Sequence, residues 1–217
     1  IDTDASLTKV IPIQGMPSSP HLDFASEIKI KTKFPIFHAS KINDVATARY
    51  AVREGKLDMV GMTRAHIADP HIVKKIINGM EDNIRPCVGA TYCLDRIYEG
   101  HEALCIHNPA TGRERFIPHE ISIQANHKKN IVIVGAGPSG LEAAKISSER
   151  GHRVVVFEAS NIPGGQLNLI TRSKRRRDMV GIIDWRIKAC KKHNVKFYFD
   201  TFATKEIILN ENPDIVI

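Results

Sequence analysis

The stretch IVIVGAGPSGLEAA, Ile131 to Ala144, reads as a buried strand that turns through glycines into a helix. Ile131, Val132, Ile133 and Val134 form the apolar run of a parallel strand, and Gly135, Gly137 and Gly140 follow at GxGxxG spacing. The helical pattern starts at Pro138 and runs to about Arg150. Each glycine answers a separate demand. Gly135 permits the tight turn out of the strand, Gly137 lets the backbone approach a pyrophosphate, and Gly140 lets the helix sit close against the sheet. The free amides and positive dipole end of the helix then face the phosphates. A second strand, Arg153 to Phe157, ends in Glu158, eighteen residues after Gly140, where a carboxylate can accept hydrogen bonds from ribose hydroxyls. Strand, turn, helix, second strand and terminal acid agree with one another, which separates a dinucleotide site from a chance glycine loop.

Upstream, CVGATYCLDRIYEGHEALC places Cys87, Cys93 and Cys105 within nineteen residues, three of the chain's four cysteines. So few, so grouped, they read as ligands rather than as the disulfide framework of a secreted protein, and the expected compartment is a reducing cytoplasm. A sulfur-ligated site beside a nucleotide site points to electron transfer between cofactors. Cys190 lies on a helical, Lys-rich stretch and reads as packing.

The 217 residues suffice for one or two domains, and 42% hydrophobic with 25% charged residues is the balance of an ordinary globular chain. No apolar stretch approaches membrane-spanning length, and Ile1-Asp2-Thr3 does not resemble a signal peptide. A net charge of +7 favours anionic partners, which nucleotide cofactors also are. The run Arg172 to Arg177 has no interleaved aromatic residues and is followed by an amphipathic helix signal at Ile182, Ile183, Trp185 and Ile187. It reads as a solvated face or a cofactor-phosphate neighbourhood rather than a nucleic-acid patch. The chain opens in a loop-like segment, Ile1 to Pro20, and stops at Pro213 to Ile217, the opening of a buried strand, so a piece of a longer protein is expected.

The first third alternates strand and helix. Phe34 to His38 is a candidate strand, Asn43 or Asp44 caps a helix through Val45, Ala48 and Val52 to Gly55, Leu57 to Gly61 is the next strand, and a second helix spans about Pro70 to Asn78. Such repeated units belong to a parallel barrel or an open sheet.

The motifs HASKIND (His38 to Asp44), DMVGMTRAHIADP (Asp58 to Pro70), IRPCVGATYCLDRIYEG (Ile84 to Gly100), CIHNPATGRE (Cys105 to Glu114), VGAGPSGLEAA and IPGGQLN stand in an order that resembles the multi-cofactor branch of the old yellow enzyme superfamily. That branch includes trimethylamine dehydrogenase, histamine dehydrogenase, dimethylglycine-demethylating enzymes and 2,4-dienoyl-CoA reductase, and the likeness covers nearly the whole chain. The fold it implies is α/β: the C-terminal end of a (β/α)8 FMN barrel over residues 1–85, a cysteine-bearing iron-sulfur segment and linker over 86–128, and a partial Rossmann-like FAD/NAD(P)-binding domain over 129–217. The spacing is closer to the amine dehydrogenases than to the dienoyl-CoA reductases.

The resemblance implies that the loops after two barrel strands hold the FMN phosphate. The matching residues are Ser40 and Lys41 after the first strand and Gly61, Met62, Thr63 and Arg64 after the second, with Arg64 suited to bidentate phosphate binding. Lys41 stands where relatives often have Arg, keeping the charge but losing the fork. The other reading of Arg64 is a loop ion pair with Asp69. Cys87, Cys93 and Cys105 match the first, third and fourth ligands of a 4Fe-4S cluster, and Ala90 occupies the second position. A cluster held by three cysteines with a non-cysteine fourth ligand such as His107, a 3Fe-4S form, zinc, and buried structural thiols all remain open. Gly164, Gly165 and Gln166 resemble a loop near the flavin or ADP, and two glycines also simply make a turn.

The implied function is a flavin- and iron-sulfur-dependent oxidoreductase fragment. Its cofactors would be FMN, the cluster, FAD or ADP, and NAD(P)H, and its substrate a small molecule oxidised at an amine or N-methyl group, with enone reduction as the alternative. A nucleotide-binding module with structural thiols is the non-enzyme alternative. An electron-transfer partner and a homo-oligomer are open, while neither nucleic acid nor membrane is expected. No catalytic residue is named, since the family's acid-base residues lie on earlier barrel strands.

Overall fold

A computed structural model describes residues 11–123 and 126–217; residues 1–10 of the loop-like opening, and 124 and 125 of the linker, lie outside the described residues. Two compact units divide the chain, one running up to Ile117 and including Lys174–Asp178, the other comprising Pro118–Ser173 and Met179–Ile217. Among the described residues no helix is long and apolar enough to cross a membrane.

The first unit carries helix α1 (Leu22–Lys31), strand β1 (Phe37–Ala39), helix α2 (Val45–Arg53), strand β2 (Met59–Gly61) and the short helices α3 (Thr63–Ala68), α4 (Ile72–Ile77) and α5 (Tyr92–Tyr98). β1 and β2 pair in parallel with Phe37 opposite Met59 and Ala39 opposite Gly61, so α2 is the crossover that parallel pairing demands. Asp44 caps α2 as its side chain suggests, accepting the Thr47 amide at 2.7 Å. Leu22, Ala25, Ile42, Ala51 and Leu57 form the core under the two strands. β1 starts later than the apolar pattern indicates. Pro35 has no amide to donate, and the Ile36 amide goes to the Asp58 side chain at 2.6 Å instead of to a ladder. Helix α3 forms where the sequence reads only a loop, and it stops before Asp69-Pro70, since a residue preceding proline is kept out of helical geometry.

The second unit contains strand β3 (Asn130–Val134), helix α6 (Pro138–Glu149), strand β4 (Arg153–Phe157), helix α7 (Leu167–Ile170), helix α8 (Gly181–Lys192), strand β5 (Lys196–Tyr198), helix α9 (Lys205–Asn210) and strand β6 (Ile215–Val216). The sheet is parallel throughout in the order β5-β4-β3-β6. Val132, Val155 and Phe157 pack on one face with Ile207 and Ile208 of α9, while α6 lies beside β3 and β4 and against α8. Helices against both faces explain why β3 and β4 are near-continuous Val and Ile rather than alternating. β6 sits at the sheet edge with both residues exposed, where the sequence suggests a buried strand. This is the α/β architecture with a Rossmann-like nucleotide unit that the sequence leads one to expect.

Candidate functional site

In the first unit, the chain leaves β1 through Ser40 and Lys41 and leaves β2 through Met62 into α3, and the two exits border one cavity of about 270 Å³. Pro12, Ser40, Lys41, Met62, Arg64 and Leu94 are among its lining residues. Gly61 is small because β1 is close: a Cβ there would lie 2.8 Å from that of Ala39, its register partner. The Ser40 hydroxyl is buried and has no hydrogen-bond partner among the described residues. A buried hydroxyl left unpaired is costly, so the atom is placed to meet a polar group from elsewhere. Arg64 donates from Nη1 to the Pro12 carbonyl at 2.7 Å. It does not pair with Asp69, whose buried carboxylate takes Lys75 Nζ, the Arg85 amide at 2.8 Å and the His71 amide at 3.1 Å. Lys41 has left-handed backbone geometry (φ 49°), and its ammonium donates to the Ile13 carbonyl at 3.1 Å and to that of Met16. Burial pushes its pKa below the ordinary lysine value, Arg64 adds to this, and Asp178 and Cys87 oppose it. An orphaned hydroxyl, an arginine and tightly apposed small residues suit an anionic group such as a phosphate.

The cysteine segment is fastened to the same unit by side-chain contacts that sequence spacing did not indicate. Asp69 holds the Arg85 amide, Asn108 donates from Nδ2 to the Ala68 carbonyl at 3.1 Å, and Thr111 donates from Oγ1 to the Ile67 carbonyl at 2.8 Å. His107 is fully buried, its Nδ1 lies 2.9 Å from the Pro86 carbonyl, and its amide donates to Cys105 Sγ at 3.4 Å. Cys93 lies in the first turn of α5, next to Leu94 of the cavity wall. Burial raises the pKa of Cys87 and of Cys93, Cys105 raises both further, Cys93 adds to the rise at Cys87, and the Arg64 charge counters both. Ala90 brings no donor atom. Among the described residues no group of three or more His, Cys, Asp or Glu side chains has the arrangement of a metal site. The three sulfurs are soft donors that suit iron in kind, but the described residues do not gather them into a metal site, and Ala90 leaves them one thiolate short of a four-cysteine set.

In the second unit the glycine turn has the expected form. Gly135 has φ 101° and donates its amide to the Phe157 carbonyl at 2.7 Å, closing the turn. A Cβ on Gly140 would lie 2.0 Å from the Gly135 carbonyl oxygen, whereas one on Gly137 would meet nothing within 4 Å. Space is left open beside Gly137, ahead of the first turn of α6, where Pro138 opens the helix. Glu158 accepts the Ala136 amide at 2.7 Å and the Ser160 amide at 2.8 Å, so it braces the turn. Gly164 donates to the Ala136 carbonyl at 2.8 Å, and Gly165 lies beside Gly137, bringing the second glycine loop to the same place. Gln166 follows at the start of α7 and is exposed. Cys190 is fully buried, with its thiol pushed up to about 12 by burial, as a packing residue would be. Arg172–Arg177 is exposed throughout.

Residues 133–193 match the model of an NAD(P)-binding Rossmann-like domain. Over its full length the chain is 62% identical to a probable N-methylproline demethylase of Rhizobium meliloti and covers 32% of that protein. It is 48% identical to a multifunctional alkene reductase/demethylase OYE of Caballeronia cordobensis, again over the whole chain and 32% of the relative. Among solved structures, the 6-hydroxypseudooxynicotine amine oxidase of Pseudomonas geniculata N1 superposes with a TM-score of 0.87 at 27% identity, covering 93% of this chain and 31% of that one. The chain thus spans about a third of the length of the curated relatives it matches.

Proposed function

We infer that this chain belongs to the multi-cofactor branch of the old yellow enzyme superfamily, with whose members it shares up to 62% identity over its whole length, and that it is the cofactor-bearing portion of an oxidoreductase that removes electrons from an amine or N-methyl group of a small molecule. The observation that carries this reading is the cavity between the exits of β1 and β2, where the unpaired Ser40 hydroxyl and Arg64 face a space beside the cysteine-bearing segment. Ser40, Gly61, Met62, Thr63 and Arg64 receive the FMN phosphate, with Lys41 in the cavity wall. Residues 1–85 are read as the end of the FMN barrel, 86–128 as the cysteine segment and linker, and 129–217 as the nucleotide domain.

Cys87, Cys93 and Cys105 are the residues that would hold an iron-sulfur cluster, as three protein thiolates with the fourth position filled by something other than cysteine. When bound, such a cluster passes electrons singly, and the flavin exchanges them with substrate in pairs. The chain's own part is positional. Gly135, Gly137 and Gly140 admit the pyrophosphate of FAD or ADP, Glu158 holds the turn in shape and presents its carboxylate to ribose hydroxyls, and Gly165 and Gln166 form the facing loop. A relative named as both alkene reductase and demethylase supports enone reduction as a second reading on the same cofactors.

A visible spectrum of the full-length protein, purified without oxygen, with iron and inorganic sulfide analysis, tests this. Flavin together with iron and sulfide is the expected result. Flavin without iron would leave the fold and remove the relay; neither flavin nor iron would reduce the chain to a nucleotide-binding module with structural thiols.

A further inference from the structure

Two cations border the phosphate cavity, and their commitments differ. Among the described residues Arg64 commits one of its five N–H donors, to the Pro12 carbonyl, which leaves others open to an anion. Lys41 is 5% exposed, and its ammonium lies between the carbonyls of Ile13 and Met16. Its backbone joins the same segment from the other side, since the Lys41 carbonyl accepts the Ser18 hydroxyl at 3.1 Å and the Ser19 amide at 3.2 Å. Its terminal methylene packs against the cysteine segment: a Cβ on Gly89 would lie 3.6 Å from Lys41 Cε and 4.0 Å from Nζ. Two of its three N–H donors are taken by these carbonyls, and turning the ammonium to a phosphate would strip the Met16 carbonyl of this donor and leave the Ile13 carbonyl with only the Met16 amide at 3.3 Å, a cost that opposes the gain.

We propose that Lys41 is a positioning residue, a strut that joins residues 13–19 and the loop after Cys87 to the cavity wall, and that the phosphate is met by Ser40 and Arg64 instead. This rests on the FMN reading, because only a cavity that receives a phosphate gives the distinction a functional meaning. A strut shapes the whole site, so its loss affects every flavin. A phosphate ligand affects only flavins that carry phosphate.

The test compares FMN with riboflavin, titrated by flavin fluorescence into the full-length protein stripped of flavin. Lys41→Met is expected to weaken both by the same factor, about tenfold or more, whereas Ser40→Ala weakens FMN and leaves riboflavin unchanged. A loss confined to FMN in Lys41→Met, or no loss of either, overturns the proposal. If Lys41→Met does not fold, Lys41→Arg decides: a strut gives an equal loss for the two flavins, because the guanidinium does not fit between the two carbonyls and Gly89, while retained FMN binding overturns it. Hydrogen exchange on the flavin-free protein gives a reading independent of any ligand. The amides of Met16 and Ser19 should exchange faster in Lys41→Arg than in wild type, and unchanged exchange overturns the strut. If the wild-type protein binds neither flavin, the FMN reading fails, and the exchange result still judges Lys41.

Discussion

The Ala136 amide donates to Glu158 Oε2 at 2.7 Å, so the acid at the end of β4 holds the middle of the glycine turn that follows β3. The Ser160 amide takes the other oxygen at 2.8 Å. Burial pushes the Glu158 pKa up, but the hydrogen bonds from Ser160 and Ala136 outweigh it and hold the group below the ordinary glutamate value of 4.5. Because the folded pKa is depressed, the stability it contributes is fully present above the unfolded value and is lost as pH falls through the folded one. Glu158→Gln keeps one acceptor oxygen and turns an amide N–H2 toward a backbone N–H. It should cost about 1–3 kcal/mol at neutral pH, and its urea-unfolding midpoint should fall less than that of wild type between pH 5 and 3, a window chosen around the unfolded carboxylate value.

Gly137 and Gly140 should separate ligand binding from folding. Gly137 has ordinary backbone geometry (φ −72°) and open space at its Cβ position, so Gly137→Ala should melt with wild type while losing at least about tenfold in affinity for ADP. A Cβ on Gly140 would run into the Gly135 carbonyl oxygen, so Gly140→Ala should be destabilised at or beyond the upper end of about 1–3 kcal/mol. Calorimetry and ADP titration of both variants check this, and equal affinity of Gly137→Ala and wild type would count against a pyrophosphate at the turn.

What could be read from sequence was local. The β3 run, the glycine spacing and the Asp44 cap each arise from neighbours a few residues apart, and all formed as the residues suggest. The partners of the cavity residues are remote: Arg64 reaches Pro12 and Lys41 reaches Ile13, separations of 52 and 28 residues that no periodicity encodes. Asp69 shows the same limit. Its sequence neighbourhood suggests an ion pair with Arg64, yet the fold gives it Lys75 and two backbone amides. The left-handed geometry of Thr91, which turns the chain into α5 just before Cys93, was equally illegible, since threonine seldom adopts it.

The cysteines give a chemical prediction. Burial, reinforced by the neighbouring cysteines, holds the Cys87 and Cys93 thiols above the ordinary value of 9.0, and Cys190 is pushed up to about 12. In iron-free protein at pH 7 these thiols should be protonated and slow to react with iodoacetamide, Cys190 slowest of all. Anaerobic reconstitution with iron and sulfide should protect Cys87, Cys93 and Cys105 together at pH 9, as mass spectrometry of alkylated peptides can show. Ala90→Cys should slow the loss of iron to a chelator by supplying a further thiolate; an unchanged rate would mean that position 90 does not face the metal.

Asp69 is the last and most structural case. Its carboxylate is 3% exposed and gathers the Lys75 ammonium with the amides of Arg85 and His71, fixing the start of the cysteine segment against the end of α3. Removing the carboxylate takes the acceptor from the two amides and the counter-charge from Lys75, whose ammonium keeps only the Asn83 carbonyl at 3.0 Å, so Asp69→Ala should cost about 3–5 kcal/mol. Asp69→Asn retains an acceptor oxygen and should lose less. The loss should also be local: hydrogen exchange should rise at the Arg85 and His71 amides while β3 and β4 keep their protection, because the Asp69 bonds lie wholly within the first unit. Uniform deprotection of both units would show that Asp69 supports more than the cysteine segment.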